Sequence, residues 1–146
     1  MAEDIPEAIT EVDDQAEIQR VLAEYCHAAD EFRFDDFEAL FTSDAIVTAL
    51  LAGKTYRGPA EIRAFLEKQP AEMRGLHVTV NPSVTVSGNE ARARADFFVL
   101  VTRGDSSVVG AWGRYRDRLV RRGDRWLFAE RHVETQWRLK DVALVR

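Results

Sequence analysis

The sequence predicts a single α+β domain in which a long antiparallel sheet bends around a few helices. Two observations carry this. The first half shows helical apolar spacing behind capping signals, and from Leu76 onward the apolar period changes to two and continues between turn clusters. The size agrees, because 146 residues of which 46% are hydrophobic and 31% charged suit one domain with a real core.

Residues 1–13 carry Glu3, Asp4, Glu7, Glu11 and Asp13 around Pro6 and read as a loose acidic lead-in. The domain proper is expected over 14–138, with a tail at 139–146. Asp14 followed by Glu17 has the form of a capping box, and Ile18, Val21, Leu22, Tyr25, Cys26 and Ala29 then recur on one helical stripe. Asp35 with Glu38 predicts a second, short helix through Phe37, Leu40 and Phe41, closed by Thr42-Ser43-Asp44. Short strands are expected at Ala45 to Leu50 and Lys54 to Arg57. Gly58-Pro59 then opens a third helix with Ile62, Phe65 and Leu66 facing inward. Ser87-Gly88-Asn89, Arg103-Gly104-Asp105 and Arg122-Gly123-Asp124 divide the rest into long strands of an antiparallel meander.

Several function classes find no support. A formal charge of −5 gives no basic field for nucleic acid or an anionic membrane. No apolar run approaches the roughly 20 residues of a membrane span, and the acidic start lacks the pattern of a signal peptide, so a cytoplasmic location is expected. The single Cys26 excludes an internal disulfide and reads as core. The histidines at 27, 77 and 132 show no metal-ligand spacing, and neither a nucleotide-binding glycine motif nor a nucleophile elbow is present, so no metal and no cofactor are expected.

What remains is acid–base chemistry. Tyr25 lies in the stripe of the first helix, Asp30 lies at its end and rim, and His77 opens a later strand; a phenol, a carboxylate and an imidazole form the smallest metal-free kit for proton transfer. Asp30 sits unfavourably near a helix C-terminus, which calls for a partner able to become cationic. Alternation alone sends His77 outward with Thr79 and Asn81, away from the apolar Leu76 and Val78. Tyr115 and Asp117 share a strand face with small residues that leave room for a ligand, although Asp117 has a structural alternative as a carboxylate satisfied by local backbone or by Arg131. Trp112, Phe97 and Val99 are candidate pocket wall. Arg114, Arg116 and Arg118 form one basic strand face, read as solvated or salt-bridged.

Four segments, AEIQRVLAEYCHAADEFRFDDFEALFTSDA, YRGPAEIRAFL, GLHVTVNPSVTV and GRYRDRLVRRGDRWLFAERHV, together resemble the SnoaL-like branch of the nuclear transport factor 2-like superfamily. The resemblance implies a cone-shaped half-barrel enclosing an apolar pocket, commonly paired as a homodimer or homotrimer through the sheet. At the site the chain is most similar to the scytalone dehydratase, bile-acid dehydratase and hexachlorocyclohexane dehydrochlorinase members. Carried over by that likeness, His77 is the general base, Asp30 its orienting carboxylate and Tyr25 a proton donor or oxyanion partner. The chain departs from those members in two places: an apolar residue at Val99 or Val101 stands where they carry a further His or Asp, and Ala45 to Leu50 lacks a tyrosine. Two expectations follow. One is a cofactor-independent lyase or isomerase acting on a small cyclic substrate, hydroxylated or carbonyl-bearing. The other is a noncatalytic binding or oligomerisation module, such as an accessory subunit.

Overall fold

The structure is a computed structural model and describes residues 7–49, 52–69 and 75–140. Residues 1–6 of the expected lead-in and 141–146 of the expected tail lie outside the described residues. The order of elements is α1 (Glu7–Asp30), α2 (Phe34–Glu38), β1 (Phe41–Ala49), β2 (Lys54–Arg57), α3 (Gly58–Glu67), β3 (Gly75–Ser87), β4 (Glu90–Arg103), β5 (Ser106–Arg122) and β6 (Arg125–Arg138). The strands form one sheet in the order β2-β1-β6-β5-β4-β3, antiparallel throughout except for the parallel pairing of β1 with β6. Three helices against a curved, mixed sheet make the α+β cone that the sequence predicts. No described helix is long and apolar enough to cross a membrane.

The α1 stripe is buried as its spacing requires, with Ile18, Val21, Leu22, Cys26 and Ala29 in the core. Small residues on the inward face of β4, Ala91 and Ala93, belong to the same core cluster. Leu119, Trp126 and Phe128 complete that layer, while Ile62 and Leu66 of α3 close it from the side. The sheet curves because its ladders are interrupted, between Val80 and Ser83, at Val99/Leu100, and twice along the β5–β6 pair.

Three local expectations are corrected. First, α1 begins at Glu7, well before Asp14, so part of the expected acidic lead-in is helix. Asp14 is a buried carboxylate inside that helix instead of a cap; it accepts hydrogen bonds from Arg121 Nη2 at 2.6 Å and Trp126 Nε1 at 3.2 Å, fastening α1 to β5 and β6. Second, α2 is only 5 residues long. Phe41 to Asp44 belong to β1, where Phe41 pairs with Phe128 and their rings stand 5.4 Å apart, so sheet pairing overrides the helical pattern. Third, the inner face of β3 carries His77 and Thr79. Leu76 faces out at 51% exposure, in company with Val109, Trp112 and Trp137 on the same outer surface.

Candidate active site

The cavity lies between the end of α1, α3 and the inner face of β3 to β6, and its volume is about 340 Å³. Phe37, Val47, Leu66, Phe97, Val99, Val101 and Val133 form an apolar wall. Tyr25, Asp30, Tyr56, His77, Tyr115 and Arg138 add the polar groups. Its exposed members, Phe32, Ala52, Phe65, Gln69 and Arg138, mark where it opens to solvent.

Asp30 is the last residue of α1, and the chain leaves the helix through Phe32, which holds a left-handed φ of 55°. A bulky residue rarely adopts that conformation, and here it presents an aromatic ring at the cavity opening. Across from it, β3 is the edge of the sheet. The His77 N–H therefore has no strand beyond it and donates to the Asp30 carboxylate, at 2.9 Å to Oδ2 and 3.2 Å to Oδ1. Oδ1 is also 2.5 Å from His77 Nδ1. One carboxylate thus anchors both the backbone and the ring of the same histidine.

That arrangement fixes the tautomer. An ionised carboxylate only accepts, so Nδ1 carries the proton and Nε2 of the neutral ring keeps its lone pair. Nε2 has no protein partner among the described residues. The ring is 31% exposed and the carboxylate 11%, which keeps the pair in contact with the cavity while holding it firmly. The helix-end carboxylate thereby gains the cationic-capable partner that its position demands.

Beside this dyad stands an aromatic cluster. Tyr25 packs on Phe37 at 5.0 Å and on Tyr115 and Phe128 at 5.9 Å, while Tyr115 stacks on Phe97 at 4.4 Å. Burial pushes the Tyr25 phenol above its ordinary range, against the lowering influence of Arg131. Burial likewise raises Tyr115 strongly, with Tyr25 adding to the effect and Arg131 opposing it. Both phenols are therefore protonated donors at neutral pH.

Under the two phenols lies Arg131, fully buried. Its guanidinium stacks 3.8 Å from the Tyr115 ring, 4.1 Å from Tyr25 and 4.5 Å from Phe128. Asp117 receives Arg131 Nε and Nη2 at 2.8 and 2.9 Å. Nη1 is left without a hydrogen-bond partner among the described residues. Burial works to lower the Arg131 pKa, but Asp117 outweighs it and the net direction is upward.

The structure brings Tyr25, Asp30 and His77 together at one cavity, with Tyr115, Phe97 and Val99 in the same wall. Trp112 and Asp117 do not line it. Trp112 is half exposed on the outer face of the sheet, and Asp117 is consumed by Arg131. His27 is exposed, and Cys26 is buried with its Sγ 3.2 Å from Thr79 Oγ1. The basic strand face pairs within the chain, Arg114 with Asp96 at 2.9 Å and Arg116 with Glu134 at 2.8 Å. Sequence reasoning passed over Tyr56 and Arg138. Tyr56 sits on a strand too short to show a face, and Arg138 reaches the cavity through an irregularity that regular alternation does not announce.

Fold and site together define a cone-like α+β pocket protein with an Asp–His pair in its wall. Residues 10–132 match the SnoaL-like domain, and the chain belongs to that family. It is 36% identical over 135 residues to the uncharacterized protein Rv2910c of Mycobacterium tuberculosis, a match spanning 88% of this chain and 89% of that one. Among solved structures, a point variant of Rv3472, a protein of unknown function from M. tuberculosis, superposes with a TM-score of 0.85 at 21% identity, over 97% of this chain and 83% of the other. An NTF2-like protein with a cystatin-like fold from Novosphingobium aromaticivorans gives 0.81 at 22% identity, covering 90% of each chain. A hexachlorocyclohexane dehydrochlorinase, LinA type 2, gives 0.77 at 19% identity, again over 90% of each. At these identities the three structures show the shared fold.

Proposed function

We propose that the protein is a cofactor-independent lyase or isomerase that removes a proton from carbon in a small cyclic substrate. The observation that supports this most is the grip of Asp30 on both the N–H and Nδ1 of His77, which leaves Nε2 free beside an open apolar cavity. In this reading His77 Nε2 takes the proton, and the imidazolium that forms is stabilised through its Nδ1–H by the Asp30 carboxylate. Tyr25 or Tyr115, both protonated, donates to a departing hydroxyl or holds an enolate oxygen. Likeness of fold to a protein named as a dehydrochlorinase is consistent with elimination chemistry.

The test is turnover in deuterated water of a panel of hydroxylated cyclic alcohols and cyclic ketones, followed by NMR for loss of water or exchange at carbon. The native protein should act on a subset, and His77→Ala should lose about 100-fold or more of that rate. Equal turnover by His77→Ala would contradict the assignment. A panel left untouched by the native protein would favour the alternative, a noncatalytic pocket module, for which the apolar Val99 or Val101 speaks, standing where the family resemblance places a third acid–base group. As a separate proposal, the exposed Leu76, Val109, Trp112 and Trp137 on the outer face pack against a second copy of the chain. Trp112→Glu should then lower the mass measured by sedimentation.

A further inference from the structure

Arg138 closes a row that runs straight across the cavity floor. His77 pairs with Val99, Val99 with Ala111, and Ala111 with Arg138, and all four line the cavity. Neighbouring strands lie about 4.8 Å apart, so the two ends of the row are at most about 14 Å apart at their Cα atoms, less where the sheet curves. The imidazole stands at one end, two apolar residues form the middle, and a guanidinium stands at the open end.

Arg138 is there because the strand breaks its alternation. Continued regularly from the inward-facing Arg131, Val133 and Thr135, the pleat would turn residue 137 inward and 138 outward. Instead Gly113 pairs with Thr135 and Trp112 with Trp137, so Gln136 is an extra residue. Trp137 consequently faces solvent at 43% exposure and Arg138 joins the cavity lining. The sequence encodes the bulge at Gly113: a Cβ there would stand 2.2 Å from the Glu134 carbonyl oxygen and 2.8 Å from the Thr135 Cα, both backbone atoms that cannot swing aside.

The charge placed in this way is unspent. Like Arg57, Arg94, Arg122 and Arg125, Arg138 has no ion-pair partner among the described residues, and of these it alone lines the cavity. Among the described lining residues Asp30 is the one carboxylate, and it is engaged with His77.

We infer that the substrate is an amphiphilic acid: its apolar ring body lies over Val99 and Ala111, its reacting carbon meets His77, and a carboxylate or sulfonate at its far end is received by Arg138. This rests on the cavity being the substrate site and adds the chemical class of what it binds.

Two fluorescent probes of similar shape separate the claims, anilinonaphthalene sulfonate and its uncharged parent phenylnaphthylamine. The native protein should bind the sulfonate more tightly, with an advantage that shrinks as salt is raised. Arg138→Ala should weaken the sulfonate about fivefold and leave the neutral probe unchanged, while Arg138→Lys should restore most of the loss. Ala111→Phe, which fills the middle of the row, should remove both probes. Equal effects of Arg138→Ala on the two probes, no preference for the sulfonate in the native protein, or an Arg138-dependent affinity that survives Ala111→Phe would each overturn the inference. Neutral-probe binding without a sulfonate preference would leave the cavity reading standing, whereas failure of both probes to bind would sink that reading as well.

Discussion

Two aspartates each hold a nitrogen base in this fold, and their surroundings give them opposite roles. Asp117 and Arg131 are both sealed, with side chains at 0% exposure, their bidentate hydrogen bonds complete and aromatic rings stacked on the guanidinium. Asp30 and His77 sit at the cavity edge, 11% and 31% exposed, with Nε2 uncommitted among the described residues. The sealed pair uses a base that never gives up its proton, and it organises the packing of Tyr25, Tyr115 and Phe128. The open pair uses a base that can exchange one. Burial and the choice of base, more than the carboxylate itself, separate the sealed pair from the one proposed to do chemistry.

The sharpest way to break this contrast is to remove each carboxylate in turn. Asp117→Ala leaves a buried, uncompensated guanidinium and should cost about 3–5 kcal/mol in urea unfolding, enough to threaten folding altogether. A loss near zero would mean that Arg131 relaxes to solvent and that the pair is not a scaffold element.

Alkaline titration tests the same cluster from the side of the phenols. Burial raises the pKa of Tyr25 and Tyr115 in the folded state, so the unfolded chain releases these protons first, above about pH 10. The unfolded state then binds fewer protons than the native one, and stability present below that pH is lost as the pH rises, each phenol contributing up to about 1.4 kcal/mol per pH unit. Tyr115→Phe should flatten the decline measured by chemical denaturation between pH 10 and the alkaline end of the folded range. An unchanged slope would indicate that the ring reaches solvent.

Asp30→Asn should be milder for stability, about 1–2 kcal/mol, because an amide oxygen still accepts one of the hydrogen bonds from His77. A cost matching that of Asp117→Ala would erase the distinction between the pairs. Smallest of all, Thr79→Val removes the contact between Thr79 Oγ1 and Cys26 Sγ beneath the dyad and should cost less than about 1 kcal/mol.

The fold was legible wherever local chemistry and tertiary pairing agree. The α1 stripe, Pro59 at the start of α3, and the glycine turns at 88, 104 and 123 all announce themselves in that way. Legibility fails where a partner distant in sequence decides. Asp14 has the form of a cap but is claimed by Trp126 and Arg121, and Phe41 reads as helix but is claimed by Phe128.

The site was readable as residue types and not as faces. Tyr25, Asp30 and His77 stood out as a kit, yet alternation assigned His77 to the outside because its neighbours Leu76 and Val78 are apolar. That inference assumes that the apolar face of a strand is the inner one, and here the outer surface is itself apolar around Leu76, Trp112 and Trp137. The inner face carries the polar groups because it lines a cavity. Arg138 lay beyond this reasoning altogether, since a single bulge reverses its parity and Gly113 is its only trace in the sequence.

The account turns on which nitrogen of His77 is free, and nitrogen NMR of the imidazole answers that directly. With His27 and His132 assigned by substitution, the neutral His77 ring should carry its proton on Nδ1 and show an unprotonated Nε2, and Asp30→Asn should shift the balance toward Nε2–H. A native protein whose His77 holds its proton on Nε2 would contradict the account, because the nitrogen facing the cavity would then have no lone pair with which to take a proton.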